Sequence, residues 1–139
     1  MYCDHYSSKQ ALASYFLIEN KINFKTQEEI AQEQIIREGQ PIKTPDFLIM
    51  DKLYINHYPV SWIDAKNYYG INNKIFTQKI KEQSNKYSYE WGHGAIMFAH
   101  GFSTELSNII ETSILINFNS KEIENNKVKR NKKIKKIKK

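Results

Sequence analysis

Two apolar segments, each carrying an acid, constrain the fold more than any other feature of the chain. Lys43-Thr44-Pro45-Asp46-Phe47-Leu48-Ile49-Met50 opens an apolar run with an aspartate. Val60-Ser61-Trp62-Ile63-Asp64-Ala65-Lys66 ends one with an aspartate and a lysine. A carboxylate inside an apolar run is costly to bury unless something pairs with it. Phe47–Met50 and Val60–Ala65 have the length of buried strands, and Asn56-His57 before Pro59 supplies a turn between them. In an antiparallel hairpin the start of one strand lies beside the end of the other. Asp46 and Asp64 then become neighbours. Strand alternation puts Asp64 and Lys66 on one face, while Ala65 points the other way and leaves its carbonyl free. Two readings are open. Asp64 and Lys66 form a surface ion pair, worth about 0–1 kcal/mol, or the two carboxylates hold a hard cation such as Mg²⁺ or Mn²⁺. Such an ion would orient water at a phosphodiester, with Lys66 deprotonating that water or stabilising the developing oxyanion.

The elements around the pair read as follows. Ser7 to Asn20 is a helix capped by Ser7 or Ser8, with Leu12, Tyr15, Phe16 and Leu17 on its apolar side. Ile22-Asn23-Phe24 is extended. Thr26-Gln27-Glu28-Glu29 matches a capping box and starts a helix to about Arg37, with Ile30 and Ile36 inward. Gly39 and Pro41 stop it. Asp51-Lys52 reads as a turn before a strand extension at Leu53 to Ile55. His57 reads as an exposed loop residue. Lys74 to Trp91 is a long helix with Ile75, Phe76, Ile80 and Tyr87 as its apolar stripe, ended by Gly92-His93-Gly94. Ala95 to Ala99 is a strand, Ser103 to Asn108 a loop or short helical turn, and Thr112 to Phe118 a last strand. Helices interleaved with strands predict an α/β fold, a mixed sheet flanked by helices.

At this spacing the chain resembles a known group. Lys43-Thr44-Pro45-Asp46, Trp62-Ile63-Asp64-Ala65-Lys66, Tyr69-Gly70, Gly92-His93-Gly94-Ala95-Ile96 and Gly101-Phe102 resemble the TPD-motif branch of the PD-(D/E)XK nuclease superfamily. That superfamily includes restriction enzymes and archaeal Holliday-junction resolvases, and the branch has an animal member that partners codanin. Glu33 to Gly39 is similar to the helix that precedes the triplet there. The resemblance spans about residues 22–118 and implies a restriction-endonuclease-like sheet. It implies Asp46, Asp64 and the Ala65 carbonyl as metal ligands and Lys66 as the catalytic lysine. Gln83 and Tyr87 fit the Q-x-x-x-Y element of some members, one helical turn apart. The plain alternative makes Tyr87 a core aromatic and Gln83 a solvated side chain. Many members also carry a glutamate on the first helix. Ser7 to Ala13 has none, Gln10 is the nearest polar residue, and Glu19, Glu29 and Glu33 lie elsewhere.

Charge divides the chain. Residues 121–139 carry ten Lys/Arg against two Glu, which leaves residues 1–120 net acidic by two within an overall charge of +6. The expected layout is a nuclease-like domain over residues 1–119 and a disordered basic tail over 120–139. The tail suits non-specific phosphate attraction or a nuclear address, or merely adds solubility; richness in Ile, Asn and Lys also points to an AT-rich genome. Lys74, Lys79, Lys81 and Lys86, near Tyr68 and Tyr69, suit phosphate contact and base stacking, or form a solvated basic face. No apolar run approaches the ~20 residues of a membrane span, and the N-terminus lacks a signal-peptide layout. A single cysteine, Cys3, forms no internal disulfide, so the chain reads as intracellular; Cys3-Asp4-His5 lacks a second pair with zinc-site spacing. The expected activity is a metal-dependent endonuclease acting on DNA, with RNA open as a substrate. A homodimer or protein partner is also open, and the alternative is a nuclease-fold scaffold with weak or lost catalysis.

Overall fold

The computed structural model describes residues 8–38, 43–118 and 128–131. Its elements are α1 (Ser8–Glu19), β1 (Phe24–Thr26), α2 (Gln27–Glu38), β2 (Phe47–Ile55), β3 (Tyr58–Lys66), α3 (Lys74–Trp91), β4 (Gly94–Phe98), α4 (Thr104–Ile109), β5 (Ser113–Asn117) and β6 (Val128–Asn131). They build one mixed sheet in the order β1-β2-β3-β4-β5, flanked by helices, so the α/β expectation holds. The first three strands are antiparallel neighbours, while β3-β4 and β4-β5 run parallel. All five residues of β4 are buried, as a parallel strand covered on both faces requires.

Each sheet face packs its own core. Ala13, Phe16 and Leu17 of α1 cover Phe47, Ile63, Ala65, Ala95 and Met97. On the other face, Ile80 and Tyr87 of α3 and Leu106 of α4 cover Trp62, Ile96 and Phe98. Helix starts follow the side chains available. Thr26 and Glu29 form the expected reciprocal box: Thr26 N–H donates to Glu29 Oε1 at 2.8 Å, and Glu29 N–H donates to Thr26 Oγ1 at 3.3 Å. Asn73 Oδ1 accepts the N–H groups of Ile75 and Phe76, both at 3.1 Å, so α3 starts at Lys74. Gly92, at φ 97°, closes it.

Several expectations are corrected. Asp51-Lys52 is not a turn: β2 runs through it, with a register irregularity against β3 between Leu48 and Leu53. Asp51 is buried because Asn23 meets it, through its N–H at 2.8 Å and its side-chain amide at 3.1 Å. The expected turn at Asn56-His57 is present, both residues at positive φ (52° and 69°), a hairpin geometry that asparagine accepts readily. Ile36, Ile75 and Tyr15 face solvent at 85%, 71% and 49% exposure. On α2 the inward line is Ile30 and Gln34, one turn apart. Of the two readings for Ser103 to Asn108 the helical one holds: Thr104–Ile109 is α4, capped by Ser103. α1 begins at Ser8; the Ser7 cap, Gly39, Pro41, Cys3 and most of residues 120–139 lie outside what is described. Within that last segment Val128–Asn131 forms a strand. β1 covers β2 only over Phe47–Ile49, and β6 pairs the same edge over Lys52–Ile55, meeting backbone groups that β1 leaves open. Among the described residues no helix is long and apolar enough to cross a membrane.

Candidate functional site

The site forms where β2 begins and β3 ends. Phe47 pairs with Ile63 in the antiparallel register, which brings Asp46 beside Asp64. Both acids are buried, at 1% and 3% exposure. Their links are reciprocal: Asp46 N–H donates to Asp64 Oδ1 at 3.3 Å, and Ala65 N–H donates to Asp46 Oδ2 at 2.8 Å. Gln10 of α1 donates its amide to Asp46 Oδ1 at 2.8 Å. Lys66 Nζ lies 2.7 Å from Asp64 Oδ2 and donates to Gln83 Oε1 at 2.7 Å.

The Asp64–Lys66 ion pair therefore exists, but it is not the surface pair that the D-x-K triplet alone suggests. Its side chains are only 4% and 11% exposed. The solvent-screened value of about 0–1 kcal/mol does not apply; breaking a buried pair costs about 3–5 kcal/mol.

The Thr44-Pro45-Asp46 triplet ties four elements together. Thr44 carbonyl accepts the Tyr87 hydroxyl at 2.9 Å and the Gln27 amide at 3.2 Å, so one oxygen joins α3 and α2. Two residues on, the Asp46 carboxylate joins β3 and α1. Gln83 Nε2 meets Tyr87 Oη at 3.4 Å, so the Q-x-x-x-Y pair addresses one point, and Gln83 is not simply solvated. Tyr87 is also a core aromatic, edge-on to Trp62 with centroids 5.2 Å apart. Burial, then the negative charge of Asp64, push the Tyr87 hydroxyl far above its ordinary value of 10.0.

The remaining motif residues support the pair. Trp62 Nε1 donates to Gly92 carbonyl at 2.7 Å, and the Trp62 ring fills the space over Gly94. A Cβ on Gly94 would stand 2.0 Å from Trp62 Cε2, so only glycine fits. Tyr69-Gly70 and Gly101-Phe102 also meet: Gly70 N–H donates to Gly101 carbonyl at 2.9 Å, and Ser103 N–H to Gly70 carbonyl at 2.8 Å. This fixes the loop that leaves β3 just past Lys66.

Beside the acids opens a cavity of about 680 Å³, lined by Lys43, Lys66, Tyr68, Lys79, Gln83 and Lys86 among others. Of the four lysines expected at a nucleic-acid surface, Lys79 and Lys86 line it; Lys74 and Lys81 are exposed elsewhere on α3. Asp46 also borders a smaller opening with Gln10, Glu28 and Glu29. The sequence carries Lys43 and Thr44 only as part of the motif and Gln10 only as the nearest polar residue on the first helix; their contacts here are with the cavity, with Tyr87 and Gln27, and with Asp46. The weak signal for Gln10 was its position on the first helix. Of the glutamates considered, Glu29 is engaged in the α2 capping box and Glu33 pairs with Lys25. Among the described residues no cluster of three His, Cys, Asp or Glu is arranged to hold a metal. The acidic oxygens at the site are those of Asp46 and Asp64.

Comparison with known proteins covers most of the chain. No solved structure matches it at a significant level. An uncharacterized protein of Acanthamoeba polyphaga mimivirus is 37% identical over 98 residues, 68% of this chain. The chain spans about a third of that relative's length, 34%. The family model described as "Protein of unknown function TPD sequence-motif" matches residues 6–120, a range that holds the triplet, the D-A-K segment and α3. The chain belongs to the TPD sequence-motif family.

Proposed function

We propose that the chain is a metal-dependent endonuclease of the PD-(D/E)XK type, hydrolysing phosphodiester bonds in DNA, with branched or otherwise structured DNA as its substrate class. The observation that carries this reading is a buried pair of carboxylates whose lysine partner opens onto a cationic cavity.

The donor set fits a hard divalent cation. Asp46 and Asp64 offer anionic oxygens side by side, and hard oxygen ligands suit Mg²⁺ or Mn²⁺. Asp46, Asp64 and the Ala65 carbonyl would hold the ion, which when bound supplies charge neutralisation and an activated water. Two carboxylates with the Gln10 amide beside them suit one ion rather than two. Lys66 donates to both Asp64 and Gln83, which suits an amino group offering protons to an oxyanion rather than a lone pair to water. Of its two candidate roles this favours stabilising the oxyanion at phosphorus over deprotonating water. Gln83 fixes the ammonium from α3, and Tyr87, neutral throughout the physiological range, holds Gln83 to Thr44.

One observation favours the alternative of a nuclease-fold scaffold with weak catalysis: an amide, Gln10, contacts Asp46 where a third carboxylate would strengthen metal binding. Incubating the purified chain with labelled linear, flapped, four-way and RNA substrates, with and without Mg²⁺ or Mn²⁺, separates the two. Metal-dependent cutting of a DNA member supports the enzyme. Binding without cutting across the panel supports the scaffold.

A further inference from the structure

We infer that the cavity beside Lys66 receives a strand with an unpaired nucleotide, with Tyr68 as the platform on which its base stacks. This rests on the phosphodiester reading of the site and narrows its substrate to DNA with a locally single-stranded segment.

Three observations support it. First, the cationic wall has a direction. Lys79 and Lys86 stand seven residues apart on α3 and line the same cavity, a separation of about 10.5 Å along the helix axis at about 1.5 Å per residue. Lys43, just before the Thr44-Pro45-Asp46 triplet, lines the same cavity. Among the described residues Glu82 is the one carboxylate lining it, and Gln78 donates to it at 3.0 Å. Three ammonium groups besides Lys66 thus outnumber it, which favours a polyanion running along α3.

Second, Tyr68 lies two residues beyond Lys66 and is 42% exposed. Its ring rests edge-on against Phe76, centroids 5.4 Å apart, and against Phe98 at 6.2 Å. Those contacts fix the ring, so a stacking base would not first have to order it. The loop carrying Tyr68 is anchored by Gly70, whose N–H and carbonyl bond to Gly101 and Ser103.

Third, the geometry discriminates between substrates. In a duplex the bases are stacked inside and only the sugar-phosphate backbone reaches a protein wall. A tyrosine beside the phosphate site meets the face of a base only when that base has left the stack. The cavity volume, about 680 Å³, lies in the range that encloses one small organic group, which fits a single displaced nucleotide.

The test is fluorescence anisotropy of the full chain in calcium with three labelled probes: a DNA duplex, the same duplex with a single-stranded flap, and the flap strand alone. Tyr68→Ala should weaken flap and single-strand binding by roughly tenfold, the lower part of the range for loss of one stacked base. Duplex binding should change less than twofold. Tyr68→Phe, which keeps the ring, should restore flap binding. Tyr15→Ala, an exposed tyrosine on α1 across the sheet from α3, should leave all three unchanged. Equal losses on duplex and flap, or no loss on either, would overturn the inference. Because binding is read without turnover, selective loss in a protein that cuts nothing sustains the groove and removes the nuclease. Site-dependent cutting with Tyr68→Ala indifferent does the reverse.

Discussion

Replacing Lys66 by methionine keeps the length of the side chain and removes its charge. The variant loses the 2.7 Å contact with Asp64 and the 2.7 Å bond to Gln83. Asp64 is then a buried carboxylate that has lost its ion pair with Lys66, with the second carboxylate, Asp46, beside it. An exposed pair would cost about 0–1 kcal/mol to break, whereas a buried one costs about 3–5 kcal/mol. The exposures of 11% and 4% select the second figure. Against a domain stability of about 5–15 kcal/mol this is a large fraction, and the melting temperature should fall by about 10 °C or more. Urea unfolding followed through tryptophan fluorescence measures it directly. Lys66→Met/Asp64→Asn should recover at least half of the loss, because the uncompensated charge is gone. A loss below about 1 kcal/mol in Lys66→Met, or no recovery in the double variant, would refute the account of a desolvated pair.

Tyr87→Phe tests the raised tyrosine. The folded chain keeps the Tyr87 proton while the unfolded chain releases it near the ordinary value of 10.0. That stabilisation is complete below pH 10 and is lost as pH rises above it. Wild type should therefore lose stability faster than Tyr87→Phe between about pH 10 and 11 in urea titrations, and parallel curves would contradict the burial argument. Gly94→Ala forces a Cβ into the Trp62 ring. It should cost about 1–3 kcal/mol or more, measured in the same way, with a red-shifted Trp62 emission.

The central hairpin was legible because it has a simple code. Two apolar runs with acids at opposite ends admit one antiparallel pairing that lets the acids meet, and Phe47 opposite Ile63 is that pairing. The start of α2 and the end of α3 were legible because Thr26, Glu29 and Gly92 act on backbone groups within a turn of themselves. Contacts across long separations were not legible. Asp51 reads as a turn residue until Asn23, twenty-eight positions away, is seen to bind it. Gln10's place on the first helix marks it as a candidate, but nothing local specifies its bond to Asp46 thirty-six positions on. Helix faces failed where apolar residues outnumber the inward positions: Ile75 adjoins Phe76, and only one of two neighbours on a helix can point fully inward. β6 was hidden by composition, since its pairing draws on backbone groups that side-chain hydrophobicity does not report.

The account turns on Asp64 and Lys66 acting on a phosphodiester. Its most direct measurement is single-turnover cleavage of a labelled flapped DNA by wild type, Asp64→Asn and Lys66→Met, each held below its unfolding temperature, in magnesium and in EDTA. The account predicts cutting by wild type in magnesium only, with both variants reduced at least a hundredfold, about 2.7 kcal/mol in the barrier, and still binding the DNA in calcium. Cutting that survives Asp64→Asn and Lys66→Met undiminished, or a folded, DNA-binding wild type that cuts nothing in magnesium, would contradict it.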